Sequence, residues 1–206
     1  MEDQKLLRNT LGVLGLLLPV LCLIFNLIFG REFNQTYALT SISAAHYSTS
    51  YLLFEGILFG MGLFFIIYRG YDKIDRAVSL IIGLSAIFLA LFPCAREGAT
   101  RNFLMVSKEI SDRIHFIMSL TFFGFLIYMT GWRFSKKGKE ITKQKKQRNI
   151  LYLTCAFIMI ASLIIGYAGK NIFNWTYSLY VGETATFWAF GIAWLTKGGV
   201  ILQDKN

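Results

Sequence analysis

Charge is scarce in this chain, and what there is leans to one sign. Of its 206 residues 16% are charged and 55% hydrophobic, whereas an ordinary soluble domain is about 25% charged and about 45–50% apolar. That shortage excludes a conventional soluble exterior, because a chain this short cannot bury so much apolar sequence on all sides. Cysteine is also sparse: Cys22, Cys94 and Cys155 form no Cys-x-x-Cys, and no two share a loop. Neither a disulfide framework nor a redox pair is implied. Phosphate loops, nucleophile elbows, His-Glu-x-x-His and dinucleotide fingerprints are all missing. No internal repeat supports an inverted-repeat transporter. Asn26, Thr121 and Ser162 are too few and too mild to line an ion or solute path through a membrane.

What is present is apolar sequence gathered into six blocks: Leu11–Gly30, Tyr51–Tyr68, Ala77–Cys94, Ile114–Trp132, Ile150–Ala168 and Glu183–Leu202. Each is close to the ~20 residues that cross ~30 Å of hydrocarbon as a helix. The expected fold is therefore all-α, a polytopic transmembrane bundle of about six helices forming one domain over residues 1–206. Lys197 interrupts the last block and would have to snorkel towards a headgroup region. The first block is longer than the ~7–15-residue core of a secretory signal and ends without a small-x-small pattern, so an uncleaved span is expected. Pro19 should kink that helix. Gly56-x-x-x-Gly60, with Gly62, allows close helix approach and could also support a homo-oligomer.

Loop charge sets the expected orientation. With six spans, one side holds fifteen lysines and arginines, including the run Arg133–Arg148, and the other holds six. Positive charge stays inside, so both termini are expected in the cytoplasm of a multi-pass protein of the cell (inner or plasma) membrane. The basic run looks like a polybasic patch, but a topology-fixing loop against anionic lipid headgroups explains it. Membrane lipids, not nucleic acid, are the expected partners. In the loop Tyr68–Arg76, Arg69, Lys73 and Arg76 balance Asp72 and Asp75, which suggests an ion-paired turn.

Ionisable side chains within spans are costly, so each calls for an account. Glu55 lies one turn into the second block, His115 starts the fourth with Asp112 three residues earlier, and Glu183 opens the sixth. His46 precedes the second block. All five fall at the same expected depth near the outer surface, with Arg101 in the neighbouring loop. The candidate ligand-binding set is therefore His46, Glu55, Asp112, His115, Glu183 and Arg101. No cofactor is certain; a divalent metal such as zinc could sit on His46, His115 and Glu55, with Asp112 orienting the His115 ring. Ser119 and Phe122 would line the same wall as His115, and Glu183, Phe187, Phe190, Gly191 and Trp194 would form a stripe on the last helix. Three readings stay open: structural pairing, with Glu55 held by Arg96 or Arg101; non-catalytic binding of a lipid or small amphiphile; and metal-dependent hydrolysis of a lipid at the outer leaflet.

The segments Ser41-Ile-Ser43, Gly56-x-x-x-Gly60, Tyr68-Arg-Gly-Tyr71, Ala90-Leu-Phe-Pro93, Ile114-His-Phe116 and Phe190-Gly-Ile-Ala-Trp194 carry a resemblance. Together they look like bacterial six-span proteins of unknown function, which in turn resemble the DRAM-like membrane family with its Ile-Ser motif before the second span. The resemblance implies six helices and no particular activity. A looser likeness is to the seven-span membrane hydrolases that include alkaline ceramidases, which hold zinc with several histidines, an aspartate and a serine. This chain has two histidines.

Overall fold

The computed structural model describes residues 2–30, 39–95, 103–136 and 142–202. Within them the chain is all-α, with six long helices: α1 (Glu2–Phe29), α2 (Tyr51–Ile67), α3 (Lys73–Leu91), α4 (Lys108–Tyr128), α5 (Lys143–Asn171) and α6 (Ser178–Lys197). A π turn, Met129–Arg133, prolongs α4, and a 3₁₀ turn, Ser43–Tyr47, leads into α2. Four helices are long and apolar enough to cross a membrane: α1, α3, α5, and α4 with its π turn. Helix α2 is as apolar but only 17 residues long.

The apolar blocks locate the helices but misplace several ends, because polar helical turns lie outside the apolar window. Helix α1 starts at Glu2, where Glu2 and Asp3 favour the positive end of the helix dipole. Helix α5 starts at Lys143 because the Thr142 hydroxyl accepts the Lys145 amide at 3.1 Å, a cap worth about 1 kcal/mol. Asp72 caps α3 in the same way, accepting from the Asp75 amide at 2.9 Å. Helix α6 runs earlier than its block at both ends, stopping before Gly199, whose φ of +79° ends the helix. Lys197 is thus the last helical residue and does not interrupt it. Its ammonium donates to the Phe134 carbonyl at 3.3 Å and lies about 5 Å from the Tyr71 and Phe134 rings.

The helices close a ring. Chain neighbours α2–α3, α3–α4 and α5–α6 pack together, and α1 packs on both α2 and α6. Three of these seams rest on glycine against glycine. A Cβ at Gly12 would lie 2.9 Å from the Gly191 carbonyl oxygen, one at Gly62 2.8 Å from the Gly83 oxygen, and one at Gly166 3.3 Å from the Gly182 Cα. Backbone cannot yield to such a methyl, so small residues fix these crossings. The expected Gly56-x-x-x-Gly60 seam is not used within the chain: a Cβ at either position meets nothing within 4 Å. Inside the ring, an aromatic column joins Phe122 to Phe187, Phe190 to Phe65, and Trp194 to Phe65, Tyr68 and Phe134.

One end of the bundle is locked by ions, though not as the sequence suggests. Asp72 and Asp75 turn away from pairing within their own loop. Arg133 binds both, Nε to Asp75 Oδ1 and Nη2 to Asp72 Oδ1, each at 2.5 Å, and Lys136 also pairs with Asp72. The reason is geometric. The π turn at the end of α4 buries Arg133, and the tight turn at Gly70 (φ +64°) packs against Asp75, where a Cβ would lie 2.2 Å from the Asp75 Cβ. Asp75 also accepts the Tyr71 amide at 2.9 Å. Hydrogen bonds from Lys136, the Asp75 amide and Arg133 hold the Asp72 carboxyl below its usual range.

Candidate functional site

The opposite end is organised by the C-terminus of α3. The last carbonyls of a helix lack intrahelical donors, and Pro93 has no N–H to offer the Leu89 carbonyl four residues back. Side chains from the surrounding elements supply the missing donors. His46 Nε2 lies 3.0 Å from the Leu89 oxygen and His115 Nδ1 lies 2.8 Å from the Phe92 oxygen. The Ser111 hydroxyl donates to the Pro93 oxygen at 2.8 Å and the Tyr47 hydroxyl to the Cys94 oxygen at 2.6 Å. These bonds draw residues 40–50 over the mouth of the bundle. Tyr180 N–H to the Thr40 oxygen, at 3.2 Å, adds α6 to the stitching.

A carbonyl oxygen only accepts, which fixes how both imidazoles are protonated. His46 must carry its proton on Nε2, and its Nδ1 faces Glu55 Oε1 at 3.2 Å. His115 carries its proton on Nδ1, so in the neutral ring Nε2 is a lone-pair acceptor. The Ser43 hydroxyl lies 3.0 Å from that nitrogen. The two rings stand edge-on with centroids 5.9 Å apart.

Glu183 completes the cluster from α6. Its Oε2 accepts the Ile42 amide at 2.5 Å, and the residue is 8% exposed. Among the described residues no cationic side chain forms an ion pair with it within 4.0 Å. A carboxylate offers about four acceptor directions, and among the described residues one is used.

Between these groups lies a partly open cavity of about 20 Å³, where one water needs roughly 10–15 Å³. Ser43, His115, Ser119 and Glu183 give it a polar lip, and Phe54, Phe122, Phe123 and Phe187 are among its apolar walls.

The expected site residues thus separate into three groups. His115 and Glu183 line the cavity with Ser119 and Phe122, whereas Phe190 and Trp194, from the same stripe of α6, belong to the core. His46 and Glu55 pair with each other beside it. Asp112 does not orient His115: it accepts the Ala95 amide at 2.7 Å, and the Phe92 carbonyl holds the ring instead. The Phe92 carbonyl, beyond the last intrahelical donor of α3, accepts the ring N–H in its place. Arg101 lies outside the described residues, as does Arg96. Among the described residues no three His, Cys, Asp or Glu side chains lie together as a metal site. All four imidazole nitrogens have protein partners, so a metal on His46 and His115 would first have to release them. Ser43 was legible only as part of the Ile-Ser motif. Its partner His115 is 72 positions away, beyond the reach of any local spacing signal.

No family model, curated protein or solved structure matches this chain.

Proposed function

We propose that this chain is a six-span protein of the cell membrane, with both termini cytoplasmic, that binds the polar end of a lipid or small amphiphile at the outer mouth of the bundle. The observation that carries the reading is Glu183, a buried carboxyl lining the cavity whose one hydrogen bond among the described residues comes from the Ile42 amide. A buried carboxyl at membrane depth with no ion-pair partner within 4.0 Å among the described residues is expensive, and a ligand that donates a hydrogen bond or brings positive charge relieves that cost. The cavity has room for one group the size of water, which suits a hydroxyl or an ammonium. The ring of phenylalanines gives the adjoining hydrocarbon a dry wall. Outward-facing Leu120, Phe157, Ile164 and Ile165 leave an apolar exterior suited to lipid. The excess of basic residues at the Arg133 end supports the orientation.

The test is lipid retention. The chain purified in mild detergent is extracted and its co-purifying amphiphiles are quantified by mass spectrometry, with elemental analysis of the same sample for zinc. Wild type is expected to retain a lipid with a hydroxyl or amine head, and E183Q to lose it about tenfold, the worth of one charge-assisted hydrogen bond. Equal retention by E183Q would overturn the reading. Zinc near one atom per chain would favour a metal hydrolase instead.

A further inference from the structure

We propose that Ser43 and His115 form a nucleophile–base pair that cleaves a carboxylic ester of the bound lipid, an inference that rests on the amphiphile-binding reading above. The pair has the parts such chemistry needs: a hydroxyl against a neutral imidazole nitrogen, and a third group that fixes the ring. Ser43 Oγ lies 3.0 Å from His115 Nε2, and the Phe92 carbonyl holds the Nδ1 proton at 2.8 Å. That carbonyl stands where the carboxylate of a triad would, setting the tautomer with a dipole in place of a charge. His115 is buried, so its ring is held in place, while Ser43 is half-exposed on the cavity lip.

A bland alternative is a hydrogen bond that merely ties the loop to α4. Other hydroxyls at this end do serve that purpose, each spending its proton on a backbone carbonyl: Ser48 on Ala45, Ser111 on Pro93 and Tyr47 on Cys94. Ser43 differs from these. Its acceptor is a basic nitrogen, and it faces a cavity instead of a packed seam.

The reaction balances with water as the only co-reactant. Ser43 Oγ bonds to the acyl carbon as its proton moves to His115 Nε2. The ester C–O bond then breaks, and the departing alcohol oxygen takes that proton. Water attacks the acyl-serine, passing a proton to His115 Nε2, which returns it to Ser43 Oγ as the fatty acid leaves. The phenylalanine wall receives the start of the acyl chain.

The experiment uses the full chain in detergent micelles with an alkyl fluorophosphonate, which phosphonylates activated serines, and locates the adduct by peptide mass spectrometry. Wild type is expected to be labelled at Ser43 and S43A not at all. H115N keeps a donor for the Phe92 carbonyl but supplies no base, so labelling should slow about 100-fold or more. Thermal unfolding of each variant separates loss of reactivity from loss of fold. Absence of an adduct on Ser43 in wild type, or equal labelling of folded H115N, would overturn the proposal. If the same preparations still retain lipid, and lose it in E183Q, the binding reading stands and the Ser43–His115 contact is a tether. If H115N does not fold, the wild-type reaction decides alone: labelling confined to Ser43 supports the pair, and labelling spread over Ser41, Ser43 and Ser119 refutes it.

Discussion

Replacing Arg133 with methionine should be among the most damaging single changes at the basic end. Its side chain and that of Asp75 are each 4% exposed, and they meet at 2.5 Å. Methionine fills much of the arginine stem's volume but leaves the Asp75 carboxylate buried with the Tyr71 amide as its remaining hydrogen-bond donor among the described residues. Stranding one member of a buried pair costs about 3–5 kcal/mol. The double variant D75N/R133M removes the charge as well, while the amide oxygen can still accept from Tyr71. It should recover to within about 1–2 kcal/mol of wild type, about 2–3 kcal/mol more stable than R133M alone. The assay is unfolding in mixed micelles titrated with dodecyl sulfate, followed by tryptophan fluorescence. Trp194 is a suitable reporter because it packs on Tyr68 and Phe134 at the same end, with centroids 5.2 and 5.1 Å away. A loss under about 1 kcal/mol in R133M, or a double variant weaker than R133M, would refute the account of a buried, mutually dependent pair.

Two further predictions use the same assay. G83A should destabilise by about 1–3 kcal/mol through overpacking, because its methyl would lie 2.6 Å from the Gly62 oxygen. G60A, in open space, should be neutral or gain up to about 1 kcal/mol; similar effects at both sites would refute the seam. Asp72, depressed by Lys136, the Asp75 amide and Arg133, contributes stability that is full above its unfolded pKa of about 3.9 and is lost as pH falls through its lower folded value. Unfolding midpoints should therefore drop below about pH 4 in wild type and drop less in D72N; parallel profiles would remove Asp72 from the lock.

Much of the fold is legible in the sequence because hydrocarbon-length apolar runs are a strong signal. The helix ends are less so. Lys143–Arg148 is polar and reads as loop, yet the Thr142 cap and good helix formers carry α5 through it. The site is legible in part: ionisable residues at one depth single out His115 and Glu183 because burial of such groups is costly wherever it occurs. Which groups meet is hidden. Nothing near Asp112 shows that a carbonyl of α3 will take His115 first, and nothing near Asp75 shows that a π turn will deliver Arg133. Proline is the exception, since Pro93 announces a free carbonyl at Leu89 to anyone counting four residues back.

The ring closes between its first helix and its last. Arg8 reaches the carbonyl of Lys197, 189 positions along the chain, and the glycine seam of α1 waits for Gly191. During synthesis, then, α1 is made long before its main partner exists. Until α6 arrives, the notch at Gly12 and Gly15 stands open, where Phe190 later presses within 2.6 Å of a Cβ position. A product truncated before α6 would leave both α1 and α5 without their glycine seams, Gly12 lacking Gly191 and Gly166 lacking Gly182.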